Sequence, residues 1–182
     1  LDIKVVSNRG DGLSVFGLSR EVLAKDQDSK PTELYGKAVA GFQLGDESAS
    51  EASTKTSVKI ESNACTRYAC RLFENVKNEA SPEWLQKRLR QVGLRPLGIL
   101  VDLSNYVMLE LGQPLHAFDK GTLAEGRIVV RNANRGEKLT TLNGIEHELL
   151  QHHLMICDAE RSVAVAAVMG GAETEVSDST TN

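Results

Sequence analysis

Cysteine is scarce in this chain, and what there is forms no framework. Cys65, Cys70 and Cys157 are odd in number and lack C-x-x-C spacing. A disulfide scaffold is therefore excluded, and the usage suits a reducing cytosol, so a cytoplasmic location is expected. Cys65 and Cys70 stand an odd step apart, so on a strand they point to opposite faces and share no metal. Aromatics reach only 4%, in a composition otherwise ordinary for a soluble domain. No apolar run approaches the roughly 18 residues of a membrane span, so no membrane partner is expected. Excess positive charge is also missing: the formal net charge is −4, which argues against strong non-specific binding of nucleic acid. Neither a Walker A nor a Rossmann fingerprint occurs, so no ATP or dinucleotide cofactor is expected in the chain itself.

What is present is enough for one domain with a real core across residues 1–182. The chain opens at Leu1 inside an apparent strand and stops at Asn182 with no closing element, which reads as a piece of a longer protein. Asp2 to Val6 alternates and is β-branched, as a strand would. Asp11 is placed to cap a helix running to about Lys25, with Leu13, Phe16 and Leu23 on or near one face. Gly45 to Ser57 is polar and aperiodic, an exposed connection. Ser57 to Glu61 and Arg67 to Phe73 read as strands. Ser81-Pro82-Glu83 predicts a helix start, with Trp84, Leu85, Leu89 and Val92 as its buried stripe and Gly93 as its stop. A second helix spans about Leu100 to Leu111.

Beyond His116 the pattern changes to strands: Arg127 to Arg131, a hairpin over Leu139 to Leu149 with a type I′ turn at Asn143-Gly144, then Leu154 to Cys157 and Val163 to Val168. Helices early and strands late predict an α+β fold, with helices packed on one side of layered, largely antiparallel sheets.

Val101 to Asp119 is the most informative stretch. A helix that stops at Gly112 and Pro114 is followed by His-Ala-Phe-Asp, which sets an imidazole beside an aromatic ring. His116 is either a structural histidine bonded to backbone or a functional group. Asp119 reads as a cap for the next turn. Ser104 and Asn105 either face a ligand or bond to their own backbone. Ala164 to Gly171 (AVAAVMGG) is either a buried strand ending in a turn or a place where a ligand approaches the backbone closely. Lys87, Arg88, Arg90 and Arg95 form either a solvated helix face or a small phosphate-contacting patch. His147, His152, His153 and Cys157 match no common zinc spacing and read as exposed loop histidines with a lone thiol.

Five ordered blocks carry a resemblance. Asn8 to Val22 (NRGDGLSVFGLSREV), Cys65-Thr66-Arg67-Tyr68, Ser81 to Pro96, Val101 to Asp119 and Val168 to Asp178 are similar to the B3/B4 domain of the bacterial phenylalanyl-tRNA synthetase β subunit. Only residues 41–63 match poorly, an exposed connection within the domain. The resemblance implies an editing domain that hydrolyses tyrosine mis-attached to tRNA(Phe). The bond is an activated ester, so a placed water suffices without a covalent intermediate. It implies His116 as the group that positions that water or accepts its proton. It also implies that Ser104, Asn105, Ala167, Gly170 and Gly171 line the pocket.

Ser104 stands where the family usually has Thr, and Ala167 where it commonly has Gly. A family Glu that recognises the tyrosine hydroxyl lies beyond the residue matching Asn182, so editing by this chain alone is expected to be impaired. The implied partners are the tRNA(Phe) 3′ end carrying tyrosine and the α subunit of an α2β2 parent, which holds ATP and magnesium. The alternative is a non-catalytic module that guides tRNA or scaffolds the subunits.

Overall fold

The structure, a computed structural model, describes residues 3–25 and 49–182. In chain order the helices are α1 (Val15–Lys25), α2 (Ala49–Lys55), α3 (Glu83–Gln91) and α4 (Ile99–Leu111). The strands are β1 (Val58–Ile60), β2 (Ile128–Asn132), β3 (Lys138–Thr140), β4 (Glu146–Glu148), β5 (Leu154–Cys157), β6 (Ser162–Val165) and β7 (Met169–Gly170). The chain divides into two compact units, 1–47 with 81–115 and 48–80 with 116–182.

The first unit is helical. Ser14, not Asp11, caps α1: the Gly17 N–H donates to its Oγ at 3.0 Å. Asp11 is instead held by Arg9, which donates at 2.9 and 2.7 Å. Gly17 has no room for a side chain, because a Cβ there would collide with the Asp11 carbonyl. The strand expected over Asp2 to Val6 does not form at residues 3–6. Its β-branched pattern supplies propensity, but this unit has no strand among its described residues to complete a ladder.

α3 buries Leu85 and Leu89 fully and leaves Trp84 and Val92 more than half exposed, so the predicted stripe is half its expected width. Ser81 does not cap α3. Its hydroxyl donates to the buried Asp102 carboxylate at 2.5 Å, and the Leu97 N–H donates to the same group at 2.9 Å. A buried carboxylate needs such donors, and these two tie the start of α3 to the first turn of α4. Gly93 (φ 84°) and Gly112 (φ 78°) end their helices in left-handed geometry, as predicted.

The second unit is built on a five-stranded sheet of order β1-β2-β5-β6-β7, with a separate β3-β4 ribbon. Only β1 and β2 run parallel; the remaining pairs are antiparallel. The α+β class is therefore observed, with largely antiparallel sheets. Alternate residues of β2 and β5 enter two clusters: Val129, Met155 and Cys157 join Leu139 and Leu149, while Ile128, Val130 and Ile156 join Val163 and Ala164. Phe118, Cys65 and Tyr68 pack on the second cluster.

Three further expectations are corrected in this unit. Arg67 to Phe73 is not a strand; it carries side chains onto the sheet without entering a ladder. The polar segment Gly45 to Ser57 is helical over Ala49–Lys55, steadied by Lys55, which reaches Glu51 at 2.9 Å and Glu74 at 2.6 Å. Residues 45–48 lie outside the described residues. The β3–β4 connection is not a type I′ turn, which needs positive φ at both central residues. Only Gly144 (φ 78°) takes positive φ. Thr141 and Ile145 flank a three-residue loop, and the Asn143 side chain caps it by accepting from the Ile145 N–H at 3.1 Å.

Candidate functional site

His116 opens the segment that enters the sheet unit, and its ring rests against the β7 backbone. A methyl placed on Gly170 would stand 2.5 Å from His116 Cε1, 2.7 Å from Nε2 and 3.3 Å from Leu142 Cδ1. Gly170 is therefore glycine because the imidazole occupies the place of its side chain. Two further contacts define the position. Phe118 meets the imidazole edge-on, with centroids 4.5 Å apart at 71°. The Leu142 N–H donates to the Gly170 carbonyl at 3.0 Å, which stitches the β3–β4 loop to β7.

The His116 ring nitrogens hydrogen-bond to no described residue. The bland alternative, a histidine bonded to backbone, is not what the structure holds. One side of the residue remains open to solvent. Desolvation of the ring nevertheless lowers its pKa below the ordinary imidazole value, and the charge of Glu175 opposes that shift. The combination is an imidazole biased toward its neutral form, with unspent nitrogens, able to hold a water or take its proton near neutral pH.

Gly171 faces a different surface. A Cβ there would stand 2.7 Å from the Val163 carbonyl oxygen and 3.0 Å from Leu139 Cδ1. Its N–H donates to that carbonyl at 2.7 Å. It borders a cavity of about 270 Å³ that is also lined by Leu139, Ser162 and Thr174; His116 is not part of that lining.

Ala167 sits at the exposed tip of the β6–β7 turn with φ 59°. The Val168 N–H donates to the Val165 carbonyl at 3.1 Å, so Ala167 is the third residue of a β-turn. Positive φ at that place is the mark of a type II turn and favours glycine. This gives a backbone reason for glycine at the position where Ala167 departs from the family pattern. The predicted strand Val163 to Val168 consequently stops at Val165.

Ser104 and Asn105 lie on α4 in the helical unit, both half-buried. The Ser104 hydroxyl donates to the Val101 carbonyl at 2.7 Å, the self-satisfied alternative. The Asn105 amide makes no side-chain hydrogen bond to a described residue. Asp119 is a cap as predicted: it accepts from the Gly121 N–H at 2.8 Å and the Thr180 hydroxyl at 2.7 Å. Among the other candidates, His153 Nδ1 accepts from the Leu150 N–H at 3.2 Å, and Cys157 is buried against Ser162. Among the described residues no cluster of three or more metal-ligating side chains occurs. Leu142 and Glu175 are the neighbours that sequence reasoning missed. No local pattern singles them out, since only the folded chain brings Leu142 to Gly170 and the charge of Glu175 to bear on His116.

The B3/4 domain family profile matches residues 64–182, and the chain belongs to that family. Among its relatives is the phenylalanine–tRNA ligase beta subunit of Carboxydothermus hydrogenoformans, 44% identical over 99% of this chain and 21% of that protein. That of Moorella thermoacetica is 45% identical over 100% of the chain and 22% of the relative. That of Streptococcus thermophilus is 42% identical with the same coverage. The chain thus spans about a fifth of the length of these relatives. No helix among the described residues is long and apolar enough to cross a membrane.

Proposed function

We propose that this domain serves a cytoplasmic phenylalanine–tRNA ligase as part of its β subunit and clears tRNA(Phe) mischarged with tyrosine by ester hydrolysis. The observation that supports this reading is the partly desolvated imidazole of His116, seated on Gly170, in contact with Phe118, its ring nitrogens bonded to no described residue. A water hydrogen-bonded to a ring nitrogen attacks the ester carbonyl carbon. Its proton passes to His116, and the carbon–oxygen bond to the ribose breaks. The ribose oxygen leaves with a proton, giving free tyrosine and tRNA. The reading needs no cofactor in this domain; ATP and magnesium belong to amino-acid activation in an α subunit.

Gly170 in β7 and Gly171 just after it keep the backbone bare, and Gly170 gives the imidazole its seat. Substrate-contacting roles for Ser104, Asn105 and Ala167 are carried by the resemblance. At Asn105 an amide donor and acceptor without intramolecular partners support it. The test is deacylation of Tyr-tRNA(Phe) against Phe-tRNA(Phe), with His116→Ala and His116→Gln in parallel. Selective hydrolysis that is lost in both variants supports the reading. Hydrolysis indifferent to His116 would sink it.

A further inference from the structure

The surface of α3 turned away from its buried side is built unlike the rest of the helical unit. Leu85 and Leu89 form the buried edge. Trp84, Lys87, Arg88 and Gln91 fall at i, i+3, i+4 and i+7, so they share a different stripe. Trp84 is 52% exposed. Its ring is nevertheless fixed: it meets Tyr106 edge-on at 5.6 Å and 83°. The Arg88 guanidinium stands 5.6 Å from the centroids of both rings and donates to the Tyr106 hydroxyl at 2.5 Å. An indole held by a neighbouring ring and a guanidinium is a preorganised stacking platform.

The cations around it are not neutralised by carboxylates. Lys87, Arg88, Arg90 and Arg95 have no carboxylate partner among the described residues. In a chain of net charge −4, cations beside a half-exposed indole are a local feature with a specific complement. We propose that this face of α3 binds single-stranded RNA, with a base stacked on Trp84 and adjacent phosphates met by Lys87 and Arg88.

The stripe beside the indole is cationic and amide-bearing, which complements a phosphodiester backbone better than an apolar protein surface. Stacking on the indole also requires a base released from a duplex, so the partner is an unpaired segment. Choosing RNA over DNA rests on the proposed tRNA substrate; the surface itself is independent of hydrolysis at His116.

Trp84 is the only tryptophan in the chain, so its fluorescence reports directly on this face. The experiment titrates the chain with a short fluorescein-labelled single-stranded RNA of mixed sequence at low salt, reading anisotropy and tryptophan quenching together. The expected result is quenching that tracks binding. Trp84→Ala should weaken affinity by about tenfold, with most of it restored in Trp84→Phe. Lys87→Glu should weaken binding and flatten its dependence on salt. His116→Ala should leave all of this unchanged, which separates the inference from the hydrolytic reading. Circular dichroism of each variant confirms that the helices persist. Absence of binding, binding without quenching, unchanged affinity in Trp84→Ala or Lys87→Glu, or equal quenching by a blunt duplex would each overturn the proposal. Absence of binding is also the result expected if a protein segment covers this face.

Discussion

Replacing Gly170 with alanine tests whether the seat of His116 controls its chemistry. The added methyl would lie 2.5 Å from Cε1 and 2.7 Å from Nε2. Non-bonded carbons settle at about 3.5–4.0 Å, so one partner must retreat by about 1 Å. Gly170 lies in β7, paired to Ala164 and holding the Leu142 N–H on its carbonyl. Gly170 is also not among the residues with positive φ, so alanine brings no dihedral penalty. The movable partner is the imidazole, which no described residue bonds. Overpacking of this kind costs about 1–3 kcal/mol of stability, and an ångström of misplacement costs about a hundredfold in rate. Gly170→Ala should therefore remain folded but lose about a hundredfold in hydrolysis of Tyr-tRNA(Phe). A ring pushed toward water should also titrate closer to the ordinary imidazole value. Histidine NMR across pH, assigned with His116→Ala, measures that change, and a deacylation time course measures the rate. If the variant keeps both the wild-type titration and the wild-type rate, the contact does not control the imidazole and the reasoning fails.

Three other outcomes are expected. If neutral His116 is the active form, hydrolysis should rise as the imidazole loses its proton, with a midpoint below the ordinary imidazole value because burial lowers the pKa. Glu175→Gln removes the charge that favours the imidazolium and should move the midpoint lower still; a pH–rate profile with its rise above neutrality contradicts this. Arg131 grips Glu137 through two 2.8 Å bonds, and the Ser162 hydroxyl and Asn134 N–H also donate to it, which holds its pKa at about 2. A carboxylate with a depressed folded pKa stabilises above its unfolded value, here 4.5, and loses that contribution as pH falls toward about 2. Glu137→Gln should cost about 3 kcal/mol near neutrality, with the gap from wild type closing in urea melts at acid pH. Ala167→Gly removes the left-handed strain at φ 59° and should raise thermal stability by up to about 1 kcal/mol; a lower melting temperature contradicts the type II turn.

Much of the fold was legible because its signals are local. Gly93 and Gly112 stop helices through dihedrals that other residues resist, and alternation in β2 and β5 follows from a sheet buried on both faces. The two missing strands share one cause: propensity describes a segment, whereas a ladder needs a partner. Residues 3–6 and Arg67 to Phe73 have strand-like side chains and enter no ladder. The apolar pattern groups Trp84 with Leu85 and Leu89 in one buried stripe, but its helical phase puts it beside Arg88 instead. The hairpin is legible in the pattern, yet its turn is not type I′, because the Asn143 side chain, and not a second positive φ, closes the loop. At the site, the spacing of His116, Phe118 and Asp119 identified the segment and the capping role of Asp119. It did not reveal that the imidazole fills the missing side chain of Gly170, because that contact joins distant parts of the chain. Only the resemblance brought those two residues together beforehand. The physical reason for a glycine at Gly170 is thus a ring from elsewhere in the sequence, whereas at Gly171 it is the Val163 carbonyl of the adjacent strand. Two neighbouring glycines that look like one motif answer to two separate constraints. A methyl at Gly171 should therefore disturb the sheet without reaching the imidazole, while one at Gly170 should do the reverse.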